Sequence, residues 1–109
     1  MIYLGPAGIP TVSRERTTIG GIKCVAELKL TAFEVEFVRH IGMSNEMAEE
    51  AGRVAKELGV HLSVHCPYFV NLCSQEPAKL EASKRRILDS TERAFHMGAD
   101  VAVFHPGFY

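Results

Sequence analysis

Strand and helix periodicities take turns along this chain, and that alternation constrains its fold more than any other feature. Residues 1–4 are short and apolar and run into Gly5-Pro6-Ala7-Gly8-Ile9-Pro10, a glycine and proline density that marks a loop after a strand. Residues 17–28 place Ile19, Ile22, Val25 and Ala26 at helical spacing, although Gly20 and Gly21 weaken the first turn. Residues 32–38 alternate with period two, as a strand does. A second helix is expected from a Ser44 or Asn45 cap to Leu58. Glu46, Glu49 and Glu50 lie near its positive end, Met47, Ala51, Val54, Ala55 and Leu58 form its stripe, and Gly59 closes it. Residues 60–65 alternate again. Pro77 opens a helix to Met97 with Leu80, Ile87, Leu88, Thr91, Ala94 and Phe95 inward, and Gly98 ends it. Residues 101–105 are nearly all apolar, the mark of a strand buried on both faces.

The order is therefore β-α-β-α-β-α-β. The helix-to-strand junctions repeat: Glu57-Leu58-Gly59-Val60 and His96-Met97-Gly98-Ala99 fill the same slot, and Glu27-Leu28-Lys29-Leu30 is a third copy with lysine for glycine. Strands alternating with helices predict an α/β fold with a parallel sheet and right-handed crossovers. A doubly wound open sheet and part of a TIM (β/α)8 barrel both fit. The first needs G-x-G-x-x-G at the first helix, which Gly5-Pro6-Ala7-Gly8 does not supply. Both architectures put function at the carboxyl ends of the strands.

Two of those ends carry histidine. His65 leads into Cys66-Pro67-Tyr68, and His105 leads into Pro106-Gly107. On adjacent parallel strands their backbones would lie about 4.8 Å apart. One histidine at a strand end is ordinarily a polar rim residue. Two at corresponding ends, each before a proline-stiffened turn, suit two imidazoles on one metal ion or on neighbouring ions, and zinc accepts nitrogen and carboxylate ligands. Glu34 and Glu36 share one strand face while Val35 and Phe37 take the other, which directs the glutamates to a barrel interior. Glu36, nearer the mouth, is either a weak catalytic candidate or a salt-bridged structural carboxylate. Tyr68 could stack on a base or pack on the rim. His40, His61 and His96 read as ordinary polar residues, and Lys84-Arg85-Arg86 as a solvated face.

Composition narrows the classes. The 109 residues are 47% hydrophobic and 23% charged with a net charge of -1, so one soluble domain fits and there is no bulk electrostatic footprint for nucleic acid. No apolar run reaches the roughly 18 residues of a membrane span, and no basic-then-apolar leader opens the chain. Three cysteines, Cys24, Cys66 and Cys73, form no C-x-x-C and suggest reduced thiols in a cytoplasmic protein. A catalytic role for Cys66 lacks a readable base.

The stretch His65-Cys66-Pro67-Tyr68-Phe69-Val70-Asn71-Leu72, followed by a long helix and Val103-Phe104-His105-Pro106-Gly107, resembles the endonuclease IV family of apurinic/apyrimidinic endonucleases. More broadly it is similar to the xylose isomerase-like TIM barrels. The family pattern is H-x-x-Y before I-N-L, then F-H-P-G, and the opening loop and Glu34-Val35-Glu36-Phe37-Val38-Arg39 look most like archaeal-type members. The resemblance implies a zinc-dependent hydrolase of DNA repair that cuts the phosphodiester 5′ of abasic sites. It makes His65 and His105 zinc ligands and Tyr68 a loop residue that enters DNA. Arg39 lies in the region of a second DNA-entering residue without aligning residue for residue.

The family's other ligands sit on later strands, and the chain ends four residues after His105. A complete barrel has eight strand–helix units and typically about 250 residues. The expectation is thus an amino-terminal portion, residues 1–109, close to half a barrel, with an incomplete zinc site and little or no activity alone. Its open strand edges would favour self-association. A metal-dependent sugar isomerase or epimerase of the same superfold, and a self-associating half-barrel without catalysis, are the alternatives.

Overall fold

A computed structural model describes residues 1–107. Its elements are α1 (Thr18–Glu27), β1 (Ala32–Glu36), α2 (Asn45–Leu58), β2 (His61–His65), α3 (Pro77–His96) and β3 (Ala102–Val103). The strands form a parallel sheet in the order β1-β2-β3, with Glu36 beside His65 and His65 beside Val103. The α/β alternation and parallel sheet are those expected of a TIM-barrel portion.

Residues 1–4 form no strand, and the described sheet has three strands where the alternation predicts four. The segment that runs along β1 is 4–8: Leu4 O accepts from Thr31 N at 2.9 Å, Pro6 O accepts from Glu34 N at 3.0 Å, and Gly8 N donates to Glu34 O at 2.9 Å. A parallel bridge joins Ala7 to Glu34. The Gly-Pro run that reads as a loop is therefore the paired segment. Gly5 explains why: a Cβ there would fall 1.5 Å from the Ala32 carbonyl oxygen, so only glycine allows this backbone approach.

Capping residues set the helix starts. Thr17 Oγ1 accepts from Gly20 N at 3.0 Å, and Ser44 Oγ accepts from Met47 N at 3.1 Å, so Ser44 rather than Asn45 caps α2. Pro77 opens α3 without a side-chain cap. The three helix exits share one pattern. Lys29 N donates to Ala26 O and Leu30 N to Val25 O. Gly59 and Val60 repeat this onto Lys56 and Ala55, and Gly98 and Ala99 onto Phe95 and Ala94. This double bond is the Schellman arrangement, which needs a left-handed residue. Gly59 has φ 71°, Gly98 φ 70° and Lys29 φ 63°.

Strand alternation sorts the two sheet faces. Phe33, Val35, Phe37, Leu62 and Val64 turn toward the helices and build the core with Ile22, Val25 and Met97. Each large apolar side chain buried this way contributes about 1.5–3 kcal/mol. The alanines Ala48, Ala51 and Ala55 form the buried stripe of α2, which flanks both other helices. Met47 and Leu58, expected in that stripe, are about half exposed.

Two further expectations are corrected. On α3 the buried positions are Ser83, Ser90 and Ala94, whereas Leu88 is 60% and Phe95 78% exposed and Thr91 is exposed. Leu88 and Phe95 thus leave an exposed apolar stripe on α3. The run 101–105 is not buried on both faces: Val101, Val103 and Phe104 are exposed, because among the described residues β3 is the sheet edge and pairs only with β2. Among the described residues, no helix is long and apolar enough to cross a membrane.

Candidate functional site

The carboxyl ends of the strands converge on one mouth. Val64 points into the core, so the period-two alternation turns its neighbour His65 to the opposite face. Backbone bonds fix the strand ends: His65 O accepts from Phe37 N at 2.9 Å, and Cys66 N donates to Val103 O at 2.8 Å. His65 Nδ1 lies 2.8 Å from the Cys66 carbonyl oxygen. A carbonyl only accepts, so Nδ1 is the donor here; in the neutral imidazole that tautomer leaves the lone pair on Nε2, as in a metal-ligating histidine.

His105 meets His65 there. Their ring centres are 5.2 Å apart at an interplanar angle of 45°. Tyr68 adds an edge-on contact to His65 at 5.9 Å and is itself exposed. Glu36 is level with His65 in the β1–β2 register, and its carboxylate lies against Gly8, where a Cβ would come within 3.1 Å of Oε2. Glu36 forms no ion pair among the described residues, which leaves the salt-bridged reading without a partner. Arg39 is exposed one residue past Val38, whose carbonyl accepts from Tyr68 N at 3.2 Å. The loops bearing Arg39 and Tyr68 are therefore neighbours.

The two histidine motifs are physically joined. Leu72 N donates to Pro106 O at 2.7 Å, and a Cβ on Gly107 would come within 2.7 Å of Asn71 Oδ1 and 3.1 Å of Cys73 Sγ. The glycine after His105-Pro106 therefore sits close against the Asn71 and Cys73 side chains that follow His65. Each motif presupposes the other.

The donors fit zinc in kind but not in number. Among the described residues, no group of three or more His, Cys, Asp or Glu side chains could hold a metal ion. Catalytic zinc takes three protein ligands and keeps a position open. His65 and His105 supply two imidazoles, so a complete centre requires donors from elsewhere.

Cys66 is fully buried, and burial pushes its thiol above the ordinary value while a bond with the Ser90 side chain offsets part of the rise. A protonated, enclosed thiol is a packing residue rather than a nucleophile. His61 stacks on Tyr3 with ring centres 3.6 Å apart, and His96 Nδ1 lies 2.9 Å from Glu49 Oε1; both sit away from the mouth. A cleft of about 540 Å³ lies beside them, at the opposite end of the sheet from His65.

Sequence reading missed three residues. Arg86, taken as part of a solvated face, donates Nη1 to the Phe69 carbonyl at 2.7 Å. Ser83, buried on α3, accepts from Asn71 N at 2.9 Å. Arg93 ties α3 to the start of α2, donating to Met43 O at 2.6 Å and Asn45 Oδ1 at 2.8 Å. Their partners lie 12 to 50 residues away, beyond any local periodicity.

A family model described as xylose isomerase-like TIM barrel matches residues 22–109. The chain is 30% identical to an uncharacterized protein, MJ0133, of Methanocaldococcus jannaschii, over all of this chain and 38% of that protein. It is 36% identical over 62 residues to a probable endonuclease 4 of Acholeplasma laidlawii, covering 54% of this chain and 21% of that protein. Among solved structures, the D-psicose 3-epimerase of Clostridium cellulolyticum H10 with D-tagatose superposes with a TM-score of 0.68 at 20% identity, over 90% of this chain and 36% of that one. That likeness is one of fold. The chain thus spans about two fifths of the archaeal relative and about a fifth of the endonuclease.

Proposed function

This chain belongs to the xylose isomerase-like TIM barrel family, and we propose that it carries part of the mouth of a zinc-dependent endonuclease acting at abasic sites in DNA. The observation that carries the reading is the His65–His105 pair, held at 5.2 Å by two motif loops that lock together through Leu72 and Pro106. Local similarity to a probable endonuclease 4 over about half the chain supports it. In this proposal residues 1–109 are the amino-terminal half of a barrel whose remaining ligands lie outside them.

Bound zinc would activate a water and neutralise charge on the phosphodiester. The chain's own share is to hold two imidazoles toward the mouth, with the Cys66 carbonyl fixing the His65 tautomer. Tyr68, 53% exposed, is offered as an aromatic platform for an unstacked nucleotide, and Arg39 beside it as a phosphate partner. Glu36 faces the same interior and is proposed as an auxiliary carboxylate.

A second reading is a metal-dependent epimerase acting on a small polyol, favoured by the superposition on D-psicose 3-epimerase. The Tyr68 loop discriminates, since an exposed aromatic followed by Asn71-Leu72 suits DNA. The full-length protein carrying these residues should nick a duplex with one abasic site and lose that activity on His65→Ala. Turnover of a ketose with no cleavage of DNA would sink the endonuclease reading.

A further inference from the structure

We infer that Ser83 and Arg86 are positioning residues: from α3 they hold the loop that sets Tyr68 and His105 against His65. The inference deepens the proposed function and rests on it for the use of the site, though not for the geometry.

Three residues apart, Ser83 and Arg86 share a face of α3. Ser83 is 2% exposed and accepts from Asn71 N at 2.9 Å, while Arg86 is half-buried in spite of its charge and donates to Phe69 O at 2.7 Å. Apolar packing anchors the loop at Pro67 and Val70, both fully buried, and the two polar contacts flank Val70. Tyr68, Phe69 and Leu72 are exposed and Val70 alone of residues 68–72 is buried. Between loop and helix lies a cavity of about 480 Å³ lined by Phe69, Asn71, Ser83 and Arg86. Beside that cavity the Ser83 and Arg86 bonds tie the loop to α3, as the Tyr68–Val38 and Leu72–Pro106 bonds tie it to its other neighbours.

The consequence reaches both partners of His65. Phe69 follows Tyr68, so the Arg86 bond fixes the backbone that aims the tyrosine. Leu72, next to Asn71, donates to Pro106 O, and Gly107 lies close to the Asn71 side chain, so the Ser83 bond reaches the turn directly after His105. A helix otherwise distant from the mouth thereby sets the distance between the imidazoles.

Cross-relaxation between assigned aromatic protons in the 109-residue chain tests this, with the melting curve of each variant as the control for folding. The native chain should show His65–His105 and His65–Tyr68 ring contacts. Arg86→Met should lose the Tyr68 contact with the cooperative melt retained, and Arg86→Lys, which keeps a donor, should restore it. Ser83→Ala should weaken the His105 contact. Persistence of both ring contacts in Arg86→Met and Ser83→Ala would overturn the inference. So would failure of lysine to rescue, or loss of the whole fold in Arg86→Met, which would mark a merely structural arginine. DNA cleavage by the full-length protein bears on the function and leaves these ring contacts unaffected, so the two failures are distinguishable.

Discussion

The imidazole of His65 faces that of His105 across 5.2 Å, from neighbouring strand ends and with no third donor completing a metal set among the described residues. Titration of the 109-residue chain with zinc should therefore show at most weak binding. His65→Ala or His105→Ala should each abolish what binding there is, since each removes one of only two imidazoles at the mouth among the described residues. Both residues lie outside the apolar core, so circular dichroism should stay native. Nanomolar affinity in this chain would contradict the incomplete centre.

Lys29 holds the left-handed conformation that glycine holds at the other two helix exits. A non-glycine residue there costs roughly 1–2 kcal/mol, partly offset by the smaller freedom of lysine in the unfolded chain, about 0.4–1 kcal/mol. Lys29→Gly should stabilise by up to about 1 kcal/mol and raise the melting temperature by a few degrees. Gly59→Ala and Gly98→Ala should lower it. Nothing stands within 4 Å of a Cβ at either glycine, so their cost is purely conformational.

Gly52 predicts the reverse of helix propensity. Alanine is the better helix former by about 1 kcal/mol, yet a Cβ here would fall 2.4 Å from the Met97 carbonyl oxygen and force α2 away from the end of α3. Gly52→Ala should destabilise by about 1–3 kcal/mol, the usual range for overpacking. A stabilised variant in chemical denaturation would refute the close approach.

Exposed Leu88 and Phe95, together with the edge of β3 that is unpaired among the described residues, should make the isolated chain prone to associate. Replacing both with glutamate should shift sedimentation toward monomer with little loss of stability. Unchanged association would place the contact elsewhere.

Burial raises the Cys66 thiol, which ties stability to alkaline pH. A thiol titrating higher in the folded than in the unfolded chain keeps its full contribution below the unfolded value, about 8.5, and loses it as pH rises toward the folded one. Stability should decline above about pH 8.5, and Cys66→Ala should flatten that decline. At neutral pH, alkylation should mark exposed Cys73 well before Cys66 or Cys24.

Much of the architecture was legible because it is written locally. The Ser44 cap, the glycines after α2 and α3 and the alternation of Phe33, Val35 and Phe37 each report on a few adjacent residues. Misreadings arose where a distant partner decides. Gly5 looks like a loop residue until Ala32 is seen against it. The periodicity that marks Leu88 and Phe95 as apolar is real, but it cannot say which neighbour the stripe faces. His65 and His105 were readable as a pair from corresponding strand ends. The hold of Ser83 and Arg86 on their loop was not, because a serine and an arginine in a charged helix carry no local sign of partners 12 and 17 residues back.

The lysine at the first helix exit has a consequence for tracing ancestry. If the three strand–helix units descend from one duplicated segment, residue identity would lose the kinship at Lys29, where the expected glycine is gone. The paired backbone bonds would preserve it: Leu30 to Val25, Val60 to Ala55 and Ala99 to Ala94 close the same loop in all three. A search for repeats in such chains gains sensitivity by aligning bonding patterns instead of letters.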